Sequence, residues 1–412
     1  MLLCSYGLKH KLNLYAQFRF FIVYLWSDKK PAISMVNMLK FADTLTELLV
    51  NNIPADKAVF IIADSNVSHI IKQIKTLIIN NQLPTSEVID IFTGENNKTM
   101  FTIEKLVGRL MERGADRNCF IVGVGGGITT DIVGFTASIY KRGVDFGFIP
   151  TTLLAQTDAS IGGKNGVNFN GYKNILGVIN QPKWIGITPE VLRSLHPREF
   201  RAGVAEMLKT FIIYDKDSYN RAVSYFTTVN KIAKESGSIT DPSTGKIYNE
   251  EELTELIKIC AGHKLAVVEK DEFEMGERRV LNLGHTFAHA IEKEFNYPDN
   301  GFPEIMHGEA VALGVIMASK LAGNSSFTEK ITADYRSCGF PATMEEFVNE
   351  AVKRGRAEKA TPINSKRIIS HIKNDKKIEG GKLHLILPYG FNDVRDIMVP
   401  VVDLDNIVTS LR

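Results

Sequence analysis

Histidines mark the part of this chain best suited to chemistry. Residues 281–289 read LNLGHTFAH, and residues 307–309 read HGE. His285 and His289 are four apart, so they share a face if 286–292 is helical. Phe287, Ala288, Ala290 and Ile291 suit such a helix. The pair reads either as metal-directed or as two buried histidines with ordinary hydrogen bonds. HxxxH without the glutamate of a zincin motif does not choose between them. AEMLK at 205–209 sets Glu206 and Lys209 three apart on one helical face. On its own that pair reads as readily as a surface ion pair.

Two further stretches carry polar groups among glycines. GVGGGITTDIVGF (123–135) reads as an apolar strand running through glycines into a helix. Glycines let backbone approach a phosphate, and a helix N-terminus favours negative charge. Thr129 or Thr130 would cap the helix. Ile128 stands where a dinucleotide fingerprint needs its last glycine, and no Walker lysine follows, so a plain tight turn is the competing reading. TTLLAQTDASIGGKNGVNFNGYKN (151–174) offers Asp158, Lys164, Lys173 and Asn174. Lysines and an asparagine on glycine-rich backbone suit an anionic, hydroxylated ligand. A solvated loop has the same composition.

The elements that would position these residues alternate in type. Short apolar runs at 58–63, 119–125 and 144–149 read as buried strands, with a helix-like stretch at 100–114 between them. That alternation indicates a parallel α/β sheet. Ligands bind such sheets at the carboxyl ends of the strands. Asp64, Gly125–Gly127 and Thr151–Thr152 occupy those ends. Asp64 there suits ribose hydroxyls, or a simple N-cap. Beyond about residue 190 clear strands give way to helical periodicity at 202–214, 250–268, 308–322 and 343–354, a mainly helical second domain. Polar, turn-rich segments at 235–252 and 296–304 read as loops, and 382–388 as a late strand.

Bulk properties narrow the field. A chain of 412 residues exceeds one small core and suggests roughly two or three domains. A net charge of +2 argues against a general nucleic-acid or membrane-surface role. Cys4, Cys119, Cys260 and Cys338 show no paired spacing, which suits a reducing, cytoplasmic setting. Residues 12–26 are strongly apolar, but the uninterrupted piece, Phe20–Trp26, is too short to cross a bilayer. SDKKPAIS after it makes a poor signal cleavage site. Residues 1–37 read as an atypical extension, or as a mis-assigned start with Met35 or Met38 as initiator.

Taken together, the motifs resemble those of the 3-dehydroquinate synthases, within the wider sugar phosphate cyclases. The likeness spans about residues 57–390. Its carriers are DSNV (64–67), GENNK (94–98), GGGITTD (125–131), YKRG (140–143), PTTLLAQTDASIGGKNG (150–166), GYKN (171–174), PREFRAGVAEMLK (197–209), RRVLNLGHTFAHAIE (278–292), HGEA (307–310) and NDKK (374–377). The resemblance implies a fold with a Rossmann-like parallel α/β domain binding NAD (38–190), followed by a mainly helical metal- and substrate-binding domain (191–412). It implies zinc, with cobalt as a substitute, on Glu206, His285 and His307, a set that suits a catalytic zinc with an open position. His289 would then face the substrate.

The same resemblance implies substrate contacts at Asp158, Lys164, Asn174, Lys209, Lys264, Arg278, Asn282 and Lys376, with Arg142 lent by the neighbouring subunit of a homodimer. NAD would meet Asp64, Glu95, Lys98, Gly126, Gly127, Ile128 and Asp131, and also Thr151, Thr152, Leu154, Lys173, Leu195 and Glu199. The implied substrate is a small-molecule sugar phosphate, 3-deoxy-D-arabino-heptulosonate 7-phosphate. A hydroxyl is oxidised transiently, phosphate is eliminated, the hydride returns, the ring opens and an internal aldol closes 3-dehydroquinate. Nucleic acid and membrane partners are not expected. Departures include Thr130 and Ala288 for family glycines, Ser194 for a threonine, a longer gap before His307, and no evident N-terminal strand pair in 1–56. They leave room for a cyclase of sedoheptulose 7-phosphate, although Asn282 and Lys376 fit the dehydroquinate enzymes. A metal-dependent polyol dehydrogenase of the same fold would need no phosphate-binding lysines. An NAD-binding protein without activity would need a lost ligand, and none is lost.

Overall fold

The computed structural model describes residues 35–170, 172–295, 305–353, 365–373, 378–379 and 382–400. The apolar segment 12–26, the loop 296–304 and Lys376 lie outside them. The first half runs β1 (Leu39–Phe41), α1 (Leu45–Asn52), β2 (Val59–Asp64), α2 (Ser68–Asn80), β3 (Thr85–Ile91), α3 (Met100–Glu112), β4 (Phe120–Gly125), α4 (Gly127–Ile139) and β5 (Asp145–Pro150). A hairpin of β6 (Lys164–Phe169) and β7 (Tyr172–Ile179) follows, then β8 (Trp184–Ile187).

Six strands form one parallel sheet in the order β1-β8-β5-β4-β2-β3. Every residue of β2 and β4 is buried, because helices cover both faces and each face needs apolar side chains. Alternation shows it: Phe60 and Ile62 join the larger core cluster, while Val59, Ile61 and Ala63 pack with α1 and α2 on the other face. The chain crosses from β2 outward to β3, then returns to β4 on the opposite side of β2. That reversal opens a crevice at the carboxyl ends of β2 and β4.

The second half is α5 (Pro197–Tyr214), α6 (Lys216–Ser236), α7 (Glu250–Lys270), α8 (His285–Phe295), α9 (His307–Ala322), α10 (Ser325–Ser337), α11 (Met344–Lys353) and α12 (Ser365–Lys373). An antiparallel sheet, β9 (Ile378–Glu379), β10 (Lys382–Gly390) and β11 (Asp393–Pro400), closes it. The parallel α/β sheet and the helical part therefore match the fold expected from sequence. Three corrections are local. The stretch 151–174 is not a solvated loop: it holds a π-helical turn at Ala155–Ala159 and most of the β6–β7 hairpin. Strands do not end near 190, since β10 reaches past the expected 382–388 and pairs with an unexpected β11. A short N-terminal strand, β1, does exist, paired in parallel with β8 at the sheet edge. No helix among the described residues is long and apolar enough to cross a membrane.

Candidate active site

Three helices bring Glu206, His285 and His307 together. Their approach depends on residues without bulk. A Cβ on Gly308 would meet the Ala202 carbonyl oxygen at 2.2 Å, so α9 starts against the backbone of α5. A Cβ on Gly314 would meet the Gly284 carbonyl oxygen at 2.1 Å, so α9 also lies against the entry to α8. Gly284 itself has φ +78, which a larger residue rarely adopts. Arg198 clamps α5 to α9 with two bonds to the buried Glu309, at 2.8 and 2.6 Å.

Glu206 is fully buried, and its Oε1 lies 3.1 Å from His307 Nε2 and 3.5 Å from His285 Nε2. Donor atoms of the three residues all fall within 4.8 Å of one another. Ligands about 2.1 Å from a tetrahedral ion sit roughly 3.4 Å apart, so the set fits a divalent metal. Both imidazoles are oriented through their other nitrogen. His285 Nδ1 is 3.2 Å from the Leu283 carbonyl, and His307 Nδ1 is 3.4 Å from Glu292 Oε1. Each Nε2 therefore faces Glu206. His289 lies edge-on to His285 and stacks near His307, at 5.5 and 6.4 Å between centroids, but stands outside the ligand group.

Charge in this cluster is tightly matched. Burial opposes ionisation of Glu206, yet Lys209, His285 and His307 outweigh it and hold the carboxyl well below its usual range. Burial likewise opposes a charged His307, but Glu292 and Glu206 push its pKa up to about 10. His285 is driven well below its usual value, chiefly by burial. A cation at Glu206 would take the place of the proton shared with His307, since metals bind neutral imidazole.

Cationic groups surround the metal-type centre. Lys209 Nζ forms an ion pair with Glu206 Oε2 at 2.6 Å and donates to the Leu281 carbonyl at 2.7 Å. Lys264 Nζ bonds Asp158 Oδ1 at 2.7 Å and the Asp158 carbonyl at 2.5 Å. Burial lowers the pKa of Lys264, against the pull of Asp158. Arg278 is buried and donates to the carbonyls of Glu272 and Gly162 at 2.6 and 3.0 Å. Lys164 pairs with Glu274, which also accepts from Asn282 Nδ2 at 2.5 Å. Glu274 reaches them from a left-handed backbone, φ +59. An anion arriving at Lys164 must compete with that carboxylate.

The crevice between β2 and β4 holds the expected nucleotide residues. Asp64 ends β2, accepting from Asn66 N at 2.9 Å and Thr93 Oγ1 at 2.5 Å. Gly126 and Gly127 open α4 directly after β4, with Ile128 and Asp131 in its first turns. Thr151 and Thr152 follow β5, and the buried Thr151 hydroxyl has no partner among the described residues. Lys98 bonds Asp131, and its ammonium also donates to Asn174 Oδ1 at 2.5 Å. Burial pushes Asp131 up to about 6 despite Lys98. Glu95 Oε1 accepts from Asn168 at 2.7 Å, and Asn168 Oδ1 accepts the Asn174 N–H at 2.9 Å. An open helix N-terminus, a carboxylate at a strand end and an orphaned hydroxyl fit a dinucleotide.

Leu154 lies just before the π-helical turn, and Leu195 packs on the core. Glu199 sits in the first turn of α5, and Lys173 projects from the hairpin with Nζ 3.6 Å from Glu292. Arg142 is not brought to this cluster. It is exposed past the end of α4, about 20 Å of helix from the glycine turn. The departures from family residues are accommodated: Thr130 Oγ1 donates to Gly127 O at 2.9 Å, and Ser194 Oγ lies 2.6 Å from His69 Nε2. Glu274, Glu292 and Asn168 were not anticipated. Glu292 had a signal, because 285, 289 and 292 share one helical face.

Comparisons with known proteins agree with this geometry. Residues 88–202 match the family model described as 3-dehydroquinate synthase N-terminal, and residues 203–378 match that described as 3-dehydroquinate synthase C-terminal. A 3-dehydroquinate synthase of Sulfurovum sp. is 41% identical over 261 residues, 63% of this chain and 67% of that protein. One of Nitratiruptor sp. is 33% identical over 340 residues, 82% and 86% of the two chains. Among solved structures, 2-epi-5-epi-valiolone synthase from Streptomyces hygroscopicus subsp. jinggangensis, with NAD+ and Zn2+ bound, superposes with TM-score 0.75 at 22% identity, covering 93% of this chain and 98% of that one.

Proposed function

This chain belongs to the 3-dehydroquinate synthase family, and on that premise we propose that it converts 3-deoxy-D-arabino-heptulosonate 7-phosphate to 3-dehydroquinate and phosphate. The observation that carries the reading is the packing of Glu206, His285 and His307 against a buried cationic set, Lys209, Lys264 and Arg278. A polyol substrate would have no use for that many cations.

Glu206, His285 and His307 would hold zinc or cobalt, which when bound supplies a Lewis acid for the substrate hydroxyl and carbonyl. NAD, along Asp64, Gly126, Gly127, Asp131 and Thr151, supplies a hydride acceptor regenerated within each turnover. The chain's own residues do the rest. Lys164, Lys209, Lys264 and Arg278 bind phosphate and carboxylate, and burial strengthens the charges of the last three. Asp158 holds Lys264 in place by two bonds. His289, beside the ligand group, faces the same space. Holding a reactive intermediate in one orientation through several steps is a large part of the work. Arg142 acts across a homodimer interface, since within its own chain it lies far from the cluster. The free, buried thiols of Cys119, Cys260 and Cys338 suit a reducing cytoplasm.

The test is incubation with either the keto-acid phosphate or sedoheptulose 7-phosphate, with NAD and zinc, measuring phosphate release, product mass and NADH. Phosphate release from the keto-acid alone, with no accumulating NADH, is expected. Lys376→Ala should then lose both affinity and rate, because the family resemblance makes this lysine a substrate contact and the keto-acid offers it a carboxylate that sedoheptulose 7-phosphate lacks. Turnover of sedoheptulose 7-phosphate alone would overturn the substrate. Stoichiometric NADH without phosphate release would make the protein a dehydrogenase.

A further inference from the structure

His285 and His307 are presented to the same carboxylate in the same way, but they are anchored by different groups. His285 Nδ1 faces a neutral backbone carbonyl, that of Leu283. His307 Nδ1 faces a side chain from another helix, the Glu292 carboxylate, 3.4 Å away. Glu292 is 6% exposed, and a buried carboxylate is costly unless it is paired and hydrogen-bonded. The same Oε1 lies 3.6 Å from Lys173 Nζ, on the solvent side. Glu292 stands seven residues after His285 on α8, so it shares the ligand's helical face.

We propose that Glu292 is a positioning residue of the metal centre: its carboxylate accepts the Nδ1–H of His307, fixes that tautomer and aims the Nε2 lone pair at the ion. The carboxylate also makes the imidazole a stronger donor than a backbone carbonyl would. His307 opens α9 as its first residue. A side-chain anchor does there what the Gly284 turn does for His285. The inference rests on the metal reading above and extends it to a residue that touches neither ion nor substrate.

The test uses the full chain, stripped of metal and titrated with Zn2+ against a chromophoric chelator, with Co2+ visible bands as a second readout. Glu292→Gln keeps the shape and removes the charge. Its Zn2+ affinity is expected to fall by about 10- to 100-fold, with shifted Co2+ bands, and Glu292→Asp should recover part of the loss. A Gln variant within twofold of the unmodified chain, with unchanged bands, overturns the proposal. If the unmodified chain itself fails to bind Zn2+, the metal reading fails instead, which separates the two. A measurement independent of variant folding uses 15N-histidine labelling of the unmodified Zn2+-loaded chain. His307 is expected to show a protonated Nδ1 and a ligated Nε2. The reverse assignment overturns the proposal.

Discussion

Glu206→Gln tests the centre most directly, because the residue serves two partners that respond differently. Its carboxylate is fully buried and pairs with Lys209, itself 1% exposed, at 2.6 Å. Gln fills the same volume, so no cavity is made. It leaves a buried ammonium with the Leu281 carbonyl and only the weaker pull of Asp158 as countercharge. Breaking a buried pair from one side costs about 3–5 kcal/mol. Metal-stripped Glu206→Gln should therefore unfold in urea with a stability lower by that order. The deficit should shrink as pH rises, because an unpaired buried lysine has a lowered folded pKa and its penalty vanishes on deprotonation. Adding Lys209→Met should restore part of the stability, since it removes the uncompensated buried charge. It should not restore metal binding. A single variant within about 1 kcal/mol of the parent, which is the scale of an exposed pair, or one that keeps a full equivalent of zinc, would refute the reasoning.

Four other outcomes follow. Mixing Arg142→Ala chains with Lys164→Ala chains should recover part of the activity through hybrid dimers, and no recovery after confirmed subunit exchange counts against the shared site. Asp131, with a pKa raised to about 6 by burial, adds stability below its unfolded value that is lost as pH rises toward 6; Asp131→Asn should lack that loss, so its stability relative to the parent should grow between pH 4 and 7. Glu274→Gln should bind inorganic phosphate about two- to fivefold more tightly by calorimetry, the scale of a half-exposed ion pair; weaker binding would mean that Glu274 does not compete for Lys164. A chain starting at Met38 should fold and turn over, because Met38 is a core residue directly before β1 whose carbonyl accepts from Ile185 N at 2.8 Å; an insoluble product would assign a packing role to residues before it.

How much was legible follows from how local each signal is. β2, β4 and β5 announce themselves, because a strand covered on both faces must be apolar throughout. Asp64 and Gly125–Gly127 then fall at strand ends by arithmetic alone. β8 has four residues and β1 three, too short to stand out from loops. The hairpin β6–β7 was missed for another reason: β7 is largely exposed and carries Lys173 and Asn174, so it reads as a polar loop until its partner is known. The helices of the second half were visible by period, yet their contacts were not. Spacing suggested that His285 and His289 form a pair, whereas the ligand atoms gather from α5, α8 and α9. Only the family resemblance put Glu206 and His307 beside His285 in advance. The glycines that permit it, Gly284, Gly308 and Gly314, look in sequence like any others.

The charges also explain why these glycines matter to function. Lys209 is held by Glu206, Lys264 by Asp158 and Lys164 by Glu274. Each of these three cations is thus folded against a carboxylate, which makes them tolerable in one cluster. A divalent ion on Glu206 would meet Oε1, the oxygen that faces both histidines, while Oε2 keeps Lys209, and an anion at Lys164 would replace Glu274. The site would then accept a cation and an anion without exposing bare charge. Exchange of this kind works only over short distances, since attraction inside a protein falls with separation and rises with burial. A bulkier residue at 308 or 314 would push α9 away from α5 and α8, and Glu206 would keep Lys209 while losing His307. On this account the close helix packing and the charge pairing are one design, and the first would fail without altering a single ligand.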